Sequence, residues 1–97
     1  MSRMTVARLA TFDDPPALRE DDQRRARTLF ELLASLHGFE SAYYLREEAS
    51  GRLISLTFWE SEEALEAAER AVAQRPVEDR RGINPSRVER WVVDASF

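Results

Sequence analysis

The sequence predicts an α+β fold in which four antiparallel strands form one sheet and two helices cover one of its faces. Four runs are rich in β-branched, aromatic and other apolar residues, and two longer stretches repeat apolar residues every three or four positions. The resulting order is strand, helix, strand, strand, helix, strand. This β-α-β-β-α-β order is the ferredoxin-like split βαβ arrangement. We expect a single domain over residues 1–97.

The first half of the chain supplies a strand, a helix and a second strand. Residues 5–12 are apolar and β-branched without helical periodicity, and the acidic and proline residues at 13–16 end this run. From residue 17 onward apolar residues recur at helical spacing as far as Leu36, and Gly38 is suited to a left-handed helix end. Residues 39–47 are aromatic and β-prone, which predicts the second strand.

The second half begins with a hairpin and then repeats the pattern. Residues 48–51 make only a short loop, so the strands at 39–47 and 52–59 should pair as a hairpin. Ser61 is followed by two glutamates, as at a helix N-terminus, and the helix predicted there ends at Pro76. Residues 88–97 are predicted to form the fourth strand.

Composition excludes several classes of function. The 97 residues include no cysteine and one histidine, which excludes disulfides, a thiol nucleophile and the usual zinc centres. All 14 basic residues are arginines, so a lysine Schiff base is excluded, and the net charge of -4 argues against nucleic-acid binding. No run approaches the roughly 20 apolar residues of a membrane span, and no secretion signal is visible, so we expect a cytoplasmic protein.

Both faces of the predicted sheet are apolar. In the third strand Ile54, Leu56 and Phe58 alternate with Leu53 and Trp59, and the fourth strand has apolar residues on both sides. Right-handed crossovers place both helices on the same face, so the other face has no cover within the chain. Packing two such faces against each other would bury them, and we therefore expect a homodimer.

Particular residues then point to a family. They are Gly38 and Phe39 at the start of the second strand, residues 56–64 with their Trp-Glu-Ser junction, and residues 88–91. With this element order the sequence resembles the dimeric α+β barrel superfamily and, within it, the antibiotic biosynthesis monooxygenase-like (ABM) family. That family includes cofactor-free oxygenases of electron-rich polycyclic aromatics, haem-degrading monooxygenases and proteins without assigned activity. The resemblance implies a cavity between helices and sheet for a small aromatic or hydrophobic ligand.

Haem degradation is disfavoured within this resemblance. Haem-degrading relatives use an Asn on the first strand, a Trp on the second helix and a His further along, and an ungapped comparison places these at Ala7, Ala68 and Glu78. The one histidine, His37, lies in a different element. Many members also carry a histidine on the second helix at the place of Ala68. The small residues around it either leave room for a bulky ligand or allow close packing of the helix on the sheet.

Trp59, Arg8 and Arg90 are the candidate ligand-binding residues. Trp59 would stack on a flat ligand, as the resemblance implies, or would anchor the core at the end of a strand. The two arginines lie in strands, where they would either hold a substrate oxyanion or form ion pairs with acids such as Glu89.

His37 and Tyr43 are the candidate catalytic residues, as proton acceptors. An imidazole suits a general base near neutral pH, but at this position it would also bond the last carbonyls of the first helix. Tyr43 and Tyr44 point to opposite faces, so at most one of them reaches the cavity.

Two functions are therefore compatible with the sequence. The first is a cofactor-independent monooxygenase, and the second is a non-catalytic dimeric module that binds a hydrophobic metabolite or acts by interaction alone. Usual devices for holding a flavin, nicotinamide or metal are missing from the sequence, so we expect no cofactor and no metal. The family resemblance favours the enzyme, and the missing histidine on the second helix favours the binding module.

Overall fold

The computed structural model describes residues 5–12, 20–75 and 85–97, and the predicted turns at 13–16, Gly82 and Asn84 lie outside these ranges. The strands are β1 (Val6–Phe12), β2 (Phe39–Arg46), β3 (Leu53–Trp59) and β4 (Arg87–Val92), and the helices are α1 (Glu20–Ala34) and α2 (Glu62–Ala73). The strands pair antiparallel in the order β2-β3-β1-β4. This confirms the predicted α+β ferredoxin-like fold.

Strand register separates the sheet into two faces. Val6 lies opposite Trp59 and Val92, and it shares its side of the sheet with the core that the helices complete. We call this the helix-facing side. Residues one position away in each strand belong to the other side, the open face. The open face carries Ala7, Leu9, Thr11, Ser41, Tyr43, Leu45, Ile54, Leu56, Phe58, Arg87, Glu89 and Trp91.

The hydrophobic core lies where α2 packs on one end of the helix-facing side. Trp59 and Leu65 are each only 1% exposed, and Ala64 and Ala68 lie in the same buried cluster. Partly buried residues of the first half, including Leu36, pack against this cluster. The small side chains of α2 therefore serve close packing of the helix on Trp59, because a larger residue would hold the helix away.

A tight contact joins the turn after α1 to the start of α2. Gly38 has a φ of 85°, and a Cβ there would collide with the Cβ of Ala64. Its carbonyl accepts a hydrogen bond of 2.8 Å from the Glu60 N–H. Ser61 caps α2 as predicted, since its Oγ accepts the Ala64 N–H at 3.1 Å. The sequence predicted Gly38 as the end of α1, but the helix ends earlier, at Ala34. The positive φ of Gly38 instead belongs to the turn before β2, which packs against α2.

The fourth strand is shorter than the sequence predicts. It ends at Val92 rather than Phe97, because its pairing with β1 runs out where Val6 lies opposite Val92. One further bond joins the Val93 N–H to the carbonyl of Thr5 at 2.9 Å. Residues 93–97 continue without regular structure.

The open face exposes large apolar side chains. Tyr43 is 53% exposed, Leu45 46% and Trp91 55%. The described helices pack on the opposite side of the sheet, so no helix among the described residues covers these side chains. The described residues include no helix long and apolar enough to cross a membrane.

Candidate functional site

A row of polar side chains crosses the middle of the helix-facing side. Thr57 of β3 lies opposite Arg8 of β1, and Arg8 lies opposite Arg90 of β4. The row on one side of it is apolar and consists of Trp59, Val6 and Val92. The polar row therefore borders the buried core, in the layer between sheet and helices where the ABM resemblance implies a ligand.

Trp59 is a buried member of the core. Its ring packs edge-on against Phe39 with a centroid distance of 5.5 Å, and its Nε1–H donates to the Oγ1 of Thr57 at 3.0 Å. The apolar ring is thus packed against another aromatic ring, and the polar N–H has an acceptor within the protein. The structure places Trp59 beside the polar row, with 1% of its surface exposed.

Arg90 forms ion pairs with one face of α2. Its Nη2 lies 2.7 Å from Oε1 of Glu69, and its Nη1 lies 3.4 Å from Oε1 of Glu62 and 3.7 Å from Oε1 of Glu66. These glutamates are spaced along one face of the helix, so one guanidinium reaches all three. The ion-pair alternative for Arg90 is therefore observed, with partners on α2 in place of the expected Glu89.

Arg8 lies opposite Arg90 in the sheet but differs from it in its hydrogen bonding. Its Nε is fully buried and has no hydrogen-bond partner among the described residues. A buried donor without an acceptor costs about 1–3 kcal/mol, and more when the group is charged. Arg8 therefore retains an unused N–H next to the core.

His37 lies at the surface and away from the end of α1. The helix ends at Ala34, so the imidazole follows it by a turn instead of capping its last residue. The His37 side chain is 94% exposed, and its Nε2 lies 3.1 Å from Oε1 of Glu60. The structure does not bring His37 into the polar row.

A β-bulge decides which tyrosine faces the helices. Phe39 lies opposite Trp59, but Ser41 lies opposite Phe58, so the register shifts by one residue within β2. After this shift Tyr43 lies on the open face, where its ring meets Phe58 edge-on at 6.2 Å. Strict alternation from Phe39 would have placed it toward the helices. Tyr43 is therefore separated from the polar row by the sheet.

Tyr44 is the tyrosine on the helix-facing side, and the sequence prediction did not select it. It lies opposite Ser55, and its ring contacts Phe30 of α1 edge-on at 5.9 Å. Thr57 was also missed, although a polar residue within an apolar strand is a visible signal. No pattern in the sequence indicated the bulge that places Tyr44, rather than Tyr43, on the helix-facing side.

A groove of about 430 Å³ lies at the end of the sheet, beside the start of α2. It is lined by Val6 and by residues 60–63 and 90–92. Arg90 belongs to this lining, but Trp59 and Arg8 do not. Its lining includes Glu60, Glu62 and Glu63, and it shares only Arg90 with the predicted ligand-binding residues.

The three positions that the sequence comparison with haem-degrading relatives singled out lie in different parts of the chain. Ala7 lies on the open face and Ala68 in the core, whereas Glu78 lies outside the described residues. Within the described ranges, no group of three or more His, Asp and Glu side chains is arranged to hold a metal ion.

Comparison with known proteins identifies the family. Residues 5–76 match the family model described as antibiotic biosynthesis monooxygenase. This match covers well over half of the 97 residues. The chain belongs to the antibiotic biosynthesis monooxygenase family. No curated protein matches the sequence.

Solved structures share the fold at low sequence identity. The heme-degrading protein of Mycobacterium tuberculosis is 19% identical, with a TM-score of 0.71 over 98% of this chain and 97% of that chain. SnoaB, a cofactor-independent oxygenase from Streptomyces nogalater, is 14% identical, with a TM-score of 0.64 over 98% and 94%. MupZ from Pseudomonas fluorescens is 14% identical, with a TM-score of 0.75 over 93% and 68%. These similarities establish the fold alone.

Proposed function

We propose that the protein is a cofactor-independent monooxygenase that acts on a small aromatic metabolite held between the helices and the sheet. The observation that carries this proposal is the polar row of Thr57, Arg8 and Arg90 beside the buried ring of Trp59. An apolar surface with a few polar groups is the usual composition of a small-molecule site. Family membership and the likeness to SnoaB support oxygenase chemistry.

The reaction proposed is oxidation of a hydroxyanthracene in its anthrone form. A methylene proton leaves to a base, and the electron-rich anion passes one electron to dioxygen. The two radicals combine into a carbon-bound peroxide anion, which takes the proton back from the base and loses water to leave a new carbonyl. One oxygen atom ends in the product and the other in water, so the substrate itself supplies all the electrons.

Each candidate residue would have its own task in this reaction. Trp59, which lies beside the polar row, would pack against the flat ligand, and Arg8 or Arg90 would stabilise the anion. His37 and Tyr43, the proton acceptors predicted from the sequence, lie outside this row, His37 at the surface and Tyr43 on the open face, so the base is the part of the proposal that this row does not supply. Removing water from the site would strengthen the interaction of the arginine with the anion.

We also propose that the protein forms a homodimer through the open face. The exposed side chains of Tyr43, Leu45 and Trp91 form part of an apolar surface that α1 and α2 leave uncovered. Two sheets packed face to face would bury it on both copies, as is common in two-fold dimers. A stable 11.2 kDa monomer at micromolar concentration in light scattering would contradict this proposal.

The second candidate function is a non-catalytic module that binds a hydrophobic metabolite. It is favoured by the placement of the proton acceptors, since His37 is on the surface and Tyr43 on the open face. Tyr43 is thus on the opposite side of the sheet from Arg8, and His37 is in the exposed turn that follows α1. Binding would then use the same polar row without a base.

Oxygen uptake separates the two functions. Metal-stripped protein is mixed with dihydroxyanthrone, and uptake is compared with the protein-free rate and with the variants Trp59→Phe, His37→Ala and Arg70→Gln. For the enzyme we expect uptake well above the protein-free rate, a marked loss in Trp59→Phe or His37→Ala, and no loss in Arg70→Gln, which changes an exposed residue of α2. Uptake that never exceeds the protein-free rate, or that neither substitution lowers, would leave the binding module.

A further inference from the structure

Arg8 and Arg90 are like charges placed side by side. They lie directly opposite each other on β1 and β4, on the same side of the sheet, where opposed side chains are about 5 Å apart at Cβ. Like charges at such a pair destabilise a sheet unless each is compensated. The two arginines should therefore have acceptors of their own.

Only one of the two is compensated by the part of the chain that the structure describes. Arg90 has ion pairs to Glu62, Glu66 and Glu69 of α2. The Nε of Arg8 is buried, and the described residues offer it no acceptor. A buried guanidinium N–H without an acceptor is costly, and a bound anion is the simplest group that would satisfy it.

A second donor lies beside Arg8. Thr57 is opposite it on β3, is 4% exposed, and uses its Oγ1 as an acceptor for the indole N–H of Trp59. A threonine hydroxyl that accepts one bond still has its own proton to donate. Arg8 Nε–H and Thr57 Oγ1–H thus form neighbouring donors on one side of the sheet, which suits a carboxylate or an enolate oxygen.

We infer that Arg8 and Thr57 form an oxyanion-binding site for an aromatic ligand that carries a negatively charged oxygen. The inference rests on the proposed function, because it places the ligand between helices and sheet, and it adds the charge of the ligand. Arg8, rather than Arg90, is the residue that contacts the anion. Trp59 borders the site on its apolar side.

The test compares two probes that differ in charge. Binding of 2-naphthoate and of the neutral 2-naphthamide is measured by calorimetry at neutral pH for the wild type, Arg8→Gln, Arg8→Met and the control Arg70→Gln. We expect the wild type and Arg70→Gln to prefer naphthoate by about tenfold or more, as for a charge-assisted hydrogen bond. Either Arg8 variant should reduce this preference to about one.

Three outcomes would overturn the inference. They are no binding of naphthoate by the wild type, equal affinity of the wild type for the two probes, and an unchanged preference in a folded Arg8 variant. Circular dichroism confirms folding, and a wild type without a preference for naphthoate overturns the inference even if neither variant folds. Naphthoate is not oxidised under these conditions, so the result is independent of oxygen uptake. A charge preference without oxygen uptake would support this site and contradict the enzyme.

Discussion

At the scale of single residues, Thr57 connects the buried core to the polar row, because it bonds Trp59 and lies opposite Arg8. It is the buried polar residue of the core region, and its hydroxyl satisfies the N–H of Trp59. The bond lets a tryptophan lie fully buried at a strand end without leaving its polar atom unpaired. The same hydroxyl lies opposite Arg8.

Thr57→Val should lower the free energy of unfolding by about 1–3 kcal/mol, since the indole N–H would remain buried without an acceptor. Trp59→Phe removes the donor as well as some apolar surface. In the double variant no donor is left unpaired, so its destabilisation should be smaller than the sum of the two single changes. Urea unfolding of all four proteins measures this coupling, and strict additivity would contradict the role of the hydrogen bond.

The surroundings of Glu47 change the ionisation of its side-chain carboxyl. The hydrogen bond from Ser50 and then the charge of Arg52 lower the pKa of the Glu47 carboxyl below its ordinary value of 4.5. Because the folded-state pKa is lowered, the stabilisation is present above pH 4.5 and is lost as the pH falls through the lowered pKa. In a carboxyl titration by NMR, Ser50→Ala should raise the midpoint of Glu47. Glu48→Gln is the matched control in the same loop and should move it less.

At the scale of elements, the bulge in β2 decides which residues of that strand lie on the helix-facing side and which lie on the open face. An extra residue at Glu40 lies between Phe39, which faces the helices, and Ser41, which does not. One inserted residue reverses every later side chain in the strand. It sends Tyr43 to the open face and Tyr44 to the helices.

The turn that joins α1 to β2 gives a prediction at this scale. Gly38→Ala should destabilise the protein by about 2–4 kcal/mol, because the new Cβ adds a collision with Ala64 to the cost of a positive φ. Gly51→Ala is the matched control. Gly51 has a φ of 76° but no atom within 4 Å of a new Cβ, so it should cost only about 1 kcal/mol. Equal losses in thermal unfolding would contradict the contact with α2.

At the scale of the whole molecule, the helices are placed on one side of the sheet and leave the other side apolar. On the open face Leu56 lies centrally, between Leu9 of β1 and Tyr43 of β2. A surface of this kind is typical of an interface.

Leu56→Glu should convert the proposed homodimer into a monomer, because a charge at the centre of an apolar interface would be buried without a partner. Ala67→Glu is the control, since Ala67 is exposed on α2, on the opposite side of the molecule. Sizing with light scattering measures the mass of both variants. A monomeric wild type, or a Leu56→Glu variant that stays dimeric, would contradict the proposal.

The sequence by itself determined the element order, the cap at Ser61, the positive φ of Gly38 and the two apolar faces of β3. These are local properties, because side-chain periodicity, capping and turn chemistry act over a few residues. Tertiary structure alone decided which arginine is paired, which tyrosine faces the helices and where His37 lies. Those outcomes depend on a one-residue bulge, on the glutamates of α2 meeting β4, and on Gly38 packing against Ala64. Each joins residues far apart in the chain, so no local pattern could have fixed it.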